Sequence, residues 1–212
     1  MLYPAPTYIM EGDTPSWLGL LGNGLGWTES PADGGWGGRY KREQPAGETR
    51  PIWTNDNRDT RDTVTLDDGT MKTSDQATVW RWRVHFQNDF AARMDWCVAD
   101  TYGKANHNPI AVLNGDHTTD VIHIAGKVGM SVALSATGTS DPDRNNVNVT
   151  WWIYNESGSV KGATLSKTHG LQTDVQLSGV KEAGQLHVIL QAEDDGTPPL
   201  FAYRRAVVDV TP

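Results

Sequence analysis

The stretch QLHVILQAEDDGTPPLFAYRRAVVDV, residues 185–210, carries two apolar alternations separated by a run of turn residues. Leu186, Val188, Leu190 and Ala192 fall on one side of an extended chain, and Ala206, Val208 and Val210 on one side of another. Between them, Asp194-Asp195-Gly196-Thr197-Pro198-Pro199 continues neither strand, because proline lacks the N–H of a ladder and Asp-Gly clusters favour turns. The reading is two strands, about 185–193 and 201–210, joined by an acidic turn.

Working outward, the same pattern recurs upstream near residues 109–113, 119–125, 130–136, 147–154 and 172–178. Val132, Leu134 and Ala136 form one inward set, and Val147, Val149, Trp151 and Ile153 another. By the same alternation Trp152, Tyr154, His187, Tyr203 and Arg205 point away from that core. Seven short strands within about a hundred residues, with turn signals between them, predict an immunoglobulin-like β-sandwich.

The first half reads differently. Of the nine tryptophans, all but Trp151 and Trp152 precede residue 105. The stretch YGKANHNP, residues 102–109, has the small polar residues and proline of a linker. The expected domains are therefore 1–104 and 105–212. Residues 22–62 show no sustained period and are expected to be ordered but irregular, rich in Trp and Gly. Val64 to Thr70 suits a hairpin arm with its turn at Asp67-Asp68-Gly69. One long helix is predicted over about 75–98, with Thr73 and Gln76 at capping-box spacing. Val79, Trp82, Phe86, Phe90 and Cys97 would form its core-facing stripe, and Asp89 and Arg93 would pair on the solvated side. The fold class is mainly β: a C-terminal sandwich preceded by an irregular segment with one helix.

Composition removes several functions. A net charge of −8 and a pI near 5.1 leave no basic face for nucleic acid. The apolar runs are too short to cross a membrane. The N-terminus lacks the basic start and long apolar stretch of a signal peptide. With Cys97 the single cysteine, neither an intramolecular disulfide nor a Cys-based zinc site can form. No phosphate loop, HExxH helix or GxSxG elbow occurs, and the histidines lack ligand spacing.

Four groups of residues could carry chemistry. Trp17, Trp27, Trp36 and Trp53 are interleaved with glycines, an arrangement that suits flat platforms for sugar rings as well as tight loop packing. Arg39 and Tyr40 would supply polar contacts to hydroxyls. The outward rings of the sandwich offer a second platform, or a face that packs against the N-terminal segment. Asp141, Asp143 and Asn145, with Asp194 in the other acidic turn, place oxygen ligands at spacings that suit calcium. Ordinary Asx turns use the same residues, so calcium would be structural and no cofactor is required. Finally, Glu11 and Asp13 share a side of an extended segment, as a glycosidase pair would. Such a pair needs a separation of about 5–5.5 Å for retention or about 6.5–9.5 Å for inversion.

Longer motifs carry a resemblance. EGDTPSWLGLLGNGL, GGWGGRY, WRWRVHFQNDFAARMDWCV and NHNPIAVLNG resemble bacterial cellulose-binding proteins with a nucleoside-hydrolase-like domain. ALSATGTSDPDRNNVNVTWWIYNESGS and AEDDGTPPLFAYRRAVVDV resemble that family's terminal immunoglobulin-like domain. The aspartate-rich calcium and ribose site that opens the family's larger domain has no counterpart here. The resemblance thus implies the end of that domain plus the sandwich, with EGDTPSW as a surviving wall of its pocket. It implies a protein that binds cellulose or a related β-glucan outside the cytoplasm, in an extracellular or periplasmic setting. A small β-glucan hydrolase and a structural module that forms a homodimer are the alternatives.

Overall fold

The computed structural model describes residues 14–55, 59–66 and 68–212. Backbone proximity groups these into two compact units, residues 14–22 with 26–86, and residues 23–25 with 87–212.

In the first unit a short helix α1 (Thr14–Gly19) is followed by the pair β1 (Lys41–Glu43) and β2 (Ile52–Thr54). The pair β3 (Asp62–Thr65) and β4 (Met71–Ser74) then forms the expected hairpin. Its turn is closed by the Asp68 carboxylate accepting the Thr70 N–H at 2.9 Å. Leu18, Trp36, Ala77, Val79 and Trp82 are buried. So is Asp62, whose two carboxylate oxygens each take a guanidinium at 2.7 Å, from Arg39 and Arg81. A buried carboxylate is stable only with such partners.

The helical region departs from expectation. It consists of α2 (Ala77–Trp80) and α3 (Arg83–Val98), interrupted at Arg81 and Trp82. Thr73 lies in β4, so no capping box forms; the Gln76 N–H instead reaches the Ser74 hydroxyl at 3.2 Å. The interruption coincides with tertiary anchors, since Arg81 is tied to Asp62 and Trp82 is buried, with its backbone N–H tightened onto the Val79 carbonyl. The predicted stripe fails beyond it: Phe90 is 55% exposed and Cys97 is exposed. Asp89 and Arg93 do pair, at 2.6 Å, but Asp89 is buried rather than solvated. Its other oxygen accepts from Asn108, whose amide also reaches the Phe201 carbonyl.

The second unit holds the sandwich. One sheet has four strands, in the order β5 (Ile122–Lys127), β11 (Phe201–Thr211), β10 (Gly184–Asp194) and β7 (Val147–Ile153). The other has the order β6 (Ser131–Ser135), β9 (Gln172–Gln176) and β8 (Thr164–Leu165). The opening stretch forms β10 and β11, antiparallel with Leu186 opposite Val208 and Val188 opposite Ala206. β5 runs parallel to β11. The segment 109–113, expected as a strand, makes only isolated bridges, Ile110 to Ser140 and Leu113 to Asp116.

Between the sheets lie the side chains that alternation assigns there, among them Leu134, Val149, Trp151, Val175, Leu177, Leu186, Val188, Leu190, Ala206 and Val208. Each large aliphatic group buried here contributes about 1.5–3 kcal/mol. The Trp151 indole N–H finds the Gly170 carbonyl at 2.8 Å, which removes the cost of burying it.

The opposite face of the four-stranded sheet is covered too. Tyr154, His187, Ile189, Tyr203, Arg205 and Val207 all lie on it or at its rim and are buried. Residues Asn23–Leu25 run across it: the Tyr203 N–H donates to the Asn23 carbonyl at 2.9 Å, and Arg205 Nε donates to the Leu25 carbonyl at 2.7 Å. Gly24 has φ +91°, and a Cβ there would sit 1.8 Å from the Tyr203 carbonyl oxygen, so only glycine lets the segment approach this closely.

Candidate functional site

The tryptophans singled out by the sequence have different fates. Trp36 is 2% exposed and meets Phe86 edge-on at 6.5 Å between centroids; it is a core residue and offers no stacking face. Arg39 is buried, engaged with Asp62 and the Arg61 carbonyl, so it is a structural cation rather than a free hydrogen-bond donor. Trp27 is half-buried against Gly19 and Gly37, where an added Cβ would meet its ring at 2.4 and 2.9 Å. Its indole N–H donates to the Gly38 carbonyl at 2.9 Å, and its ring meets Tyr40 edge-on at 5.7 Å. Burial raises the Tyr40 pKa, so that hydroxyl stays protonated. Trp17, on α1, and Trp53, on β2, keep exposed faces. Glu11 and Asp13 lie outside the described residues.

A second aromatic group, not singled out in the sequence, stands where α3 leads into the sandwich. His107 is parallel to Tyr102 at 3.6 Å between centroids with 2° between planes. It is also stacked with Trp96, at 5.3 Å and 9°. Asp143 fixes the histidine: its carboxylate accepts the His107 backbone N–H at 2.7 Å and lies 3.1 Å from ring Nδ1. The Trp96 indole N–H donates to the Asn106 carbonyl at 2.6 Å, and Arg93 sits 5.1 Å from the Trp96 ring. Tyr102 is 62% exposed. Burial and the charges of Asp143 and Asp141 raise its pKa, keeping it a neutral phenol. Trp96, Asp100, Thr101, Tyr102 and His107 line an open hollow of about 360 Å³. It therefore combines flat rings with a carboxylate and a hydroxyl. The only sequence signal for it was the aromatic content of the linker region, because the three rings are brought together by a helix end, a turn and a loop.

The proposed metal-ligating residues meet around Asn106. Asp141 Oδ1 accepts the N–H groups of Asp143 and Asn145, at 2.8 and 3.0 Å. The Asn145 amide donates to Asn106 Oδ1 at 2.8 Å, and the Asn106 amide donates to Asp194 Oδ1 at 3.0 Å. Asp194 Oδ1 also accepts the N–H groups of Gly196 and Leu200. Both oxygens of Asp143 face His107. Burial, with smaller contributions from the charges of Asp194 and Asp143, raises the Asp141 pKa. Among the described residues no three His, Cys, Asp or Glu side chains converge on one point. Nor is any described helix long and apolar enough to cross a membrane.

Comparison with known proteins bears out the resemblance. Residues 131–210 match the family model described as cellulose-binding protein Sde0182, C-terminal domain. Residues 1–40 match cellulose-binding Sde182, nucleoside hydrolase-like domain. No curated protein matches. Among solved structures, a nucleoside hydrolase-related hypothetical protein from Saccharophagus degradans, associated with carbohydrate metabolism, aligns with TM-score 0.78 at 31% identity. The alignment covers 99% of this chain and 50% of that one, so the chain spans half the length of that protein.

Proposed function

Starting from a chain whose two ends match two domains of the Sde0182 cellulose-binding proteins, we infer that it binds carbohydrate, cellulose or a related β-glucan, by stacking sugar rings on exposed aromatics. The observation that carries this reading is the Tyr102–His107 stack beside Trp96, with Asp100 and Thr101 at its edge. A β-linked glucan presents apolar C–H faces to a flat ring and hydroxyls at its rim, so an aromatic platform edged by polar groups suits it. Trp17 and Trp53 are further faces of the same kind in the first unit. An insoluble polysaccharide lies outside cells, and this supports an extracellular or periplasmic setting.

The test is a pull-down on microcrystalline cellulose, with released sugar assayed in the supernatant. The expected outcome is binding without sugar release, weakened about tenfold by Tyr102→Ala, or about 1.4 kcal/mol. Binding unchanged in Tyr102→Ala but lost in Trp17→Ala or Trp53→Ala would move the site to the first unit. Release of sugar would replace the binding reading with a hydrolytic one centred on Glu11 and Asp13. A homodimer is a second feature of this reading. It is supported by Phe90, Met94 and Val98, an exposed apolar row at four-residue steps on α3 that a second copy would cover.

A further inference from the structure

We propose that Asp141 and Asp194 together hold a calcium ion where the turn before β7 meets the turn between β10 and β11. Each carboxylate spends one oxygen, Oδ1, on backbone amides or the Asn106 side chain. Each leaves Oδ2 shielded from solvent with no hydrogen-bond partner. Asp194 is 3% exposed, so water does not relieve its orphaned oxygen. An unpaired buried carboxylate oxygen is costly, and two in one linked set are costlier, because each disfavours ionisation of the other. Here the two are joined through a single side chain: Asn106 receives Asn145, which sits on the Asp141 loop, and donates to Asp194.

The chemistry of the donors selects the ion. All are hard oxygens, and neither histidine nor cysteine is among them, which suits calcium and not zinc. Both oxygens of Asp143 are turned to His107, so it is not a ligand. Two carboxylates are few for calcium, and backbone oxygens and water must complete its shell. That places the affinity in the weak range of extracellular modules, about 10⁻⁴–10⁻³ M. Asp194 also lines an open hollow of about 700 Å³ with Asn146, Asn148, Glu193, Asp195 and Pro199. Because Asn106 precedes His107, occupancy would brace the aromatic stack; the calcium proposal itself does not depend on sugar binding.

The experiment is thermal unfolding of the whole chain in EGTA and in about 10 mM calcium chloride, with titration calorimetry of calcium. The expected result is a rise in Tm of about 4–8 °C with calcium. Asp141→Asn and Asp194→Asn should each weaken calcium binding at least tenfold. Asparagine retains the Oδ1 that caps each turn, so both variants are expected to fold, and a normal circular dichroism spectrum in EGTA checks this. No calcium-dependent shift in the wild type would overturn the proposal and leave a proton, shared between the carboxylates, as the neutralising agent. A shift of equal size in both variants would overturn it too, since the ion would then sit elsewhere.

Discussion

The two faces of the four-stranded sheet are buried by different means. The inner face is aliphatic: Leu186, Val188 and Leu190 of β10 and Ala206 and Val208 of β11 meet Leu134, Val175 and Leu177 from the other sheet. The outer face carries Tyr154, His187, Tyr203 and Arg205, and it is covered by Asn23–Leu25 instead of a second sheet. On the inner face energy comes from area and close packing, and many partial substitutes would do. On the outer face it comes from a few directed bonds, and each has one acceptable donor and acceptor. Arg205 is the clearest case. Its guanidinium reaches the Leu25 carbonyl, lies 3.0 Å from His187 Nδ1 and sits 5.6 Å from the Tyr154 ring. A guanidinium only donates, so Nδ1 must be the acceptor and the ring proton is on Nε2.

The largest effect that tests this difference should come from the inner face. Leu190→Ala, at a fully buried position, is expected to cost about 2–5 kcal/mol in urea denaturation, with Leu190→Met costing under about 1.5 kcal/mol. If the two were equally damaging, the inner face would not be governed by volume. Next, Arg205→Leu keeps apolar bulk but strands the Leu25 carbonyl and the His187 acceptor; about 2–3 kcal/mol of destabilisation should follow. Arg205→Lys should fail to rescue most of it, because an ammonium cannot present the same fork. A full rescue by lysine would mean that charge alone, not directed bonding, holds this face.

The smallest effect concerns pH. Burial, then the charge of Arg205, pushes the His187 pKa down from 6.5 to about 3, with a smaller depression from His123 and an opposing rise from Asp209. The unfolded chain therefore binds the proton more readily. The stability this gives is present in full above pH 6.5 and is lost as pH falls toward about 3. Between pH 6.5 and 5 the loss should be about 1.5 kcal/mol. His187→Gln, which keeps an acceptor but does not titrate, should flatten that slope. An unchanged slope would assign the acid sensitivity to another group.

Several sequence readings failed for one reason, that they treated side chains as if only their own segment mattered. Alternation correctly turned Tyr154 and Arg205 away from the inner core, and of its two options for that face the structure takes packing against the N-terminal segment, not an open platform. Nothing in the strands announces that Asn23–Leu25 will lie over them. The glycine–tryptophan region suited a platform and tight packing equally, and only the tertiary structure made Trp36 core and Arg39 the partner of Asp62. Periodicity over 75–98 was read as one helix because it does not register the pull of Asp62 on Arg81. Around Asn106, the turn residues Asp141, Asn145 and Asp194 were legible from turn chemistry, whereas Asn106, which joins them by hydrogen bonds, was not.

What the sequence determined alone was the strand pattern and the identity of the inner face, because side chains alternate along any extended chain regardless of what lies far away. It also determined the turns, since Asp, Gly and Pro restrict their own backbone. The tertiary structure decided which polar and aromatic groups are enclosed. Leu25 and Arg205 are 180 residues apart, and the Trp96, Tyr102 and His107 rings are set parallel by three separate elements. Contacts of that kind depend on where the whole chain passes, and no local period records it.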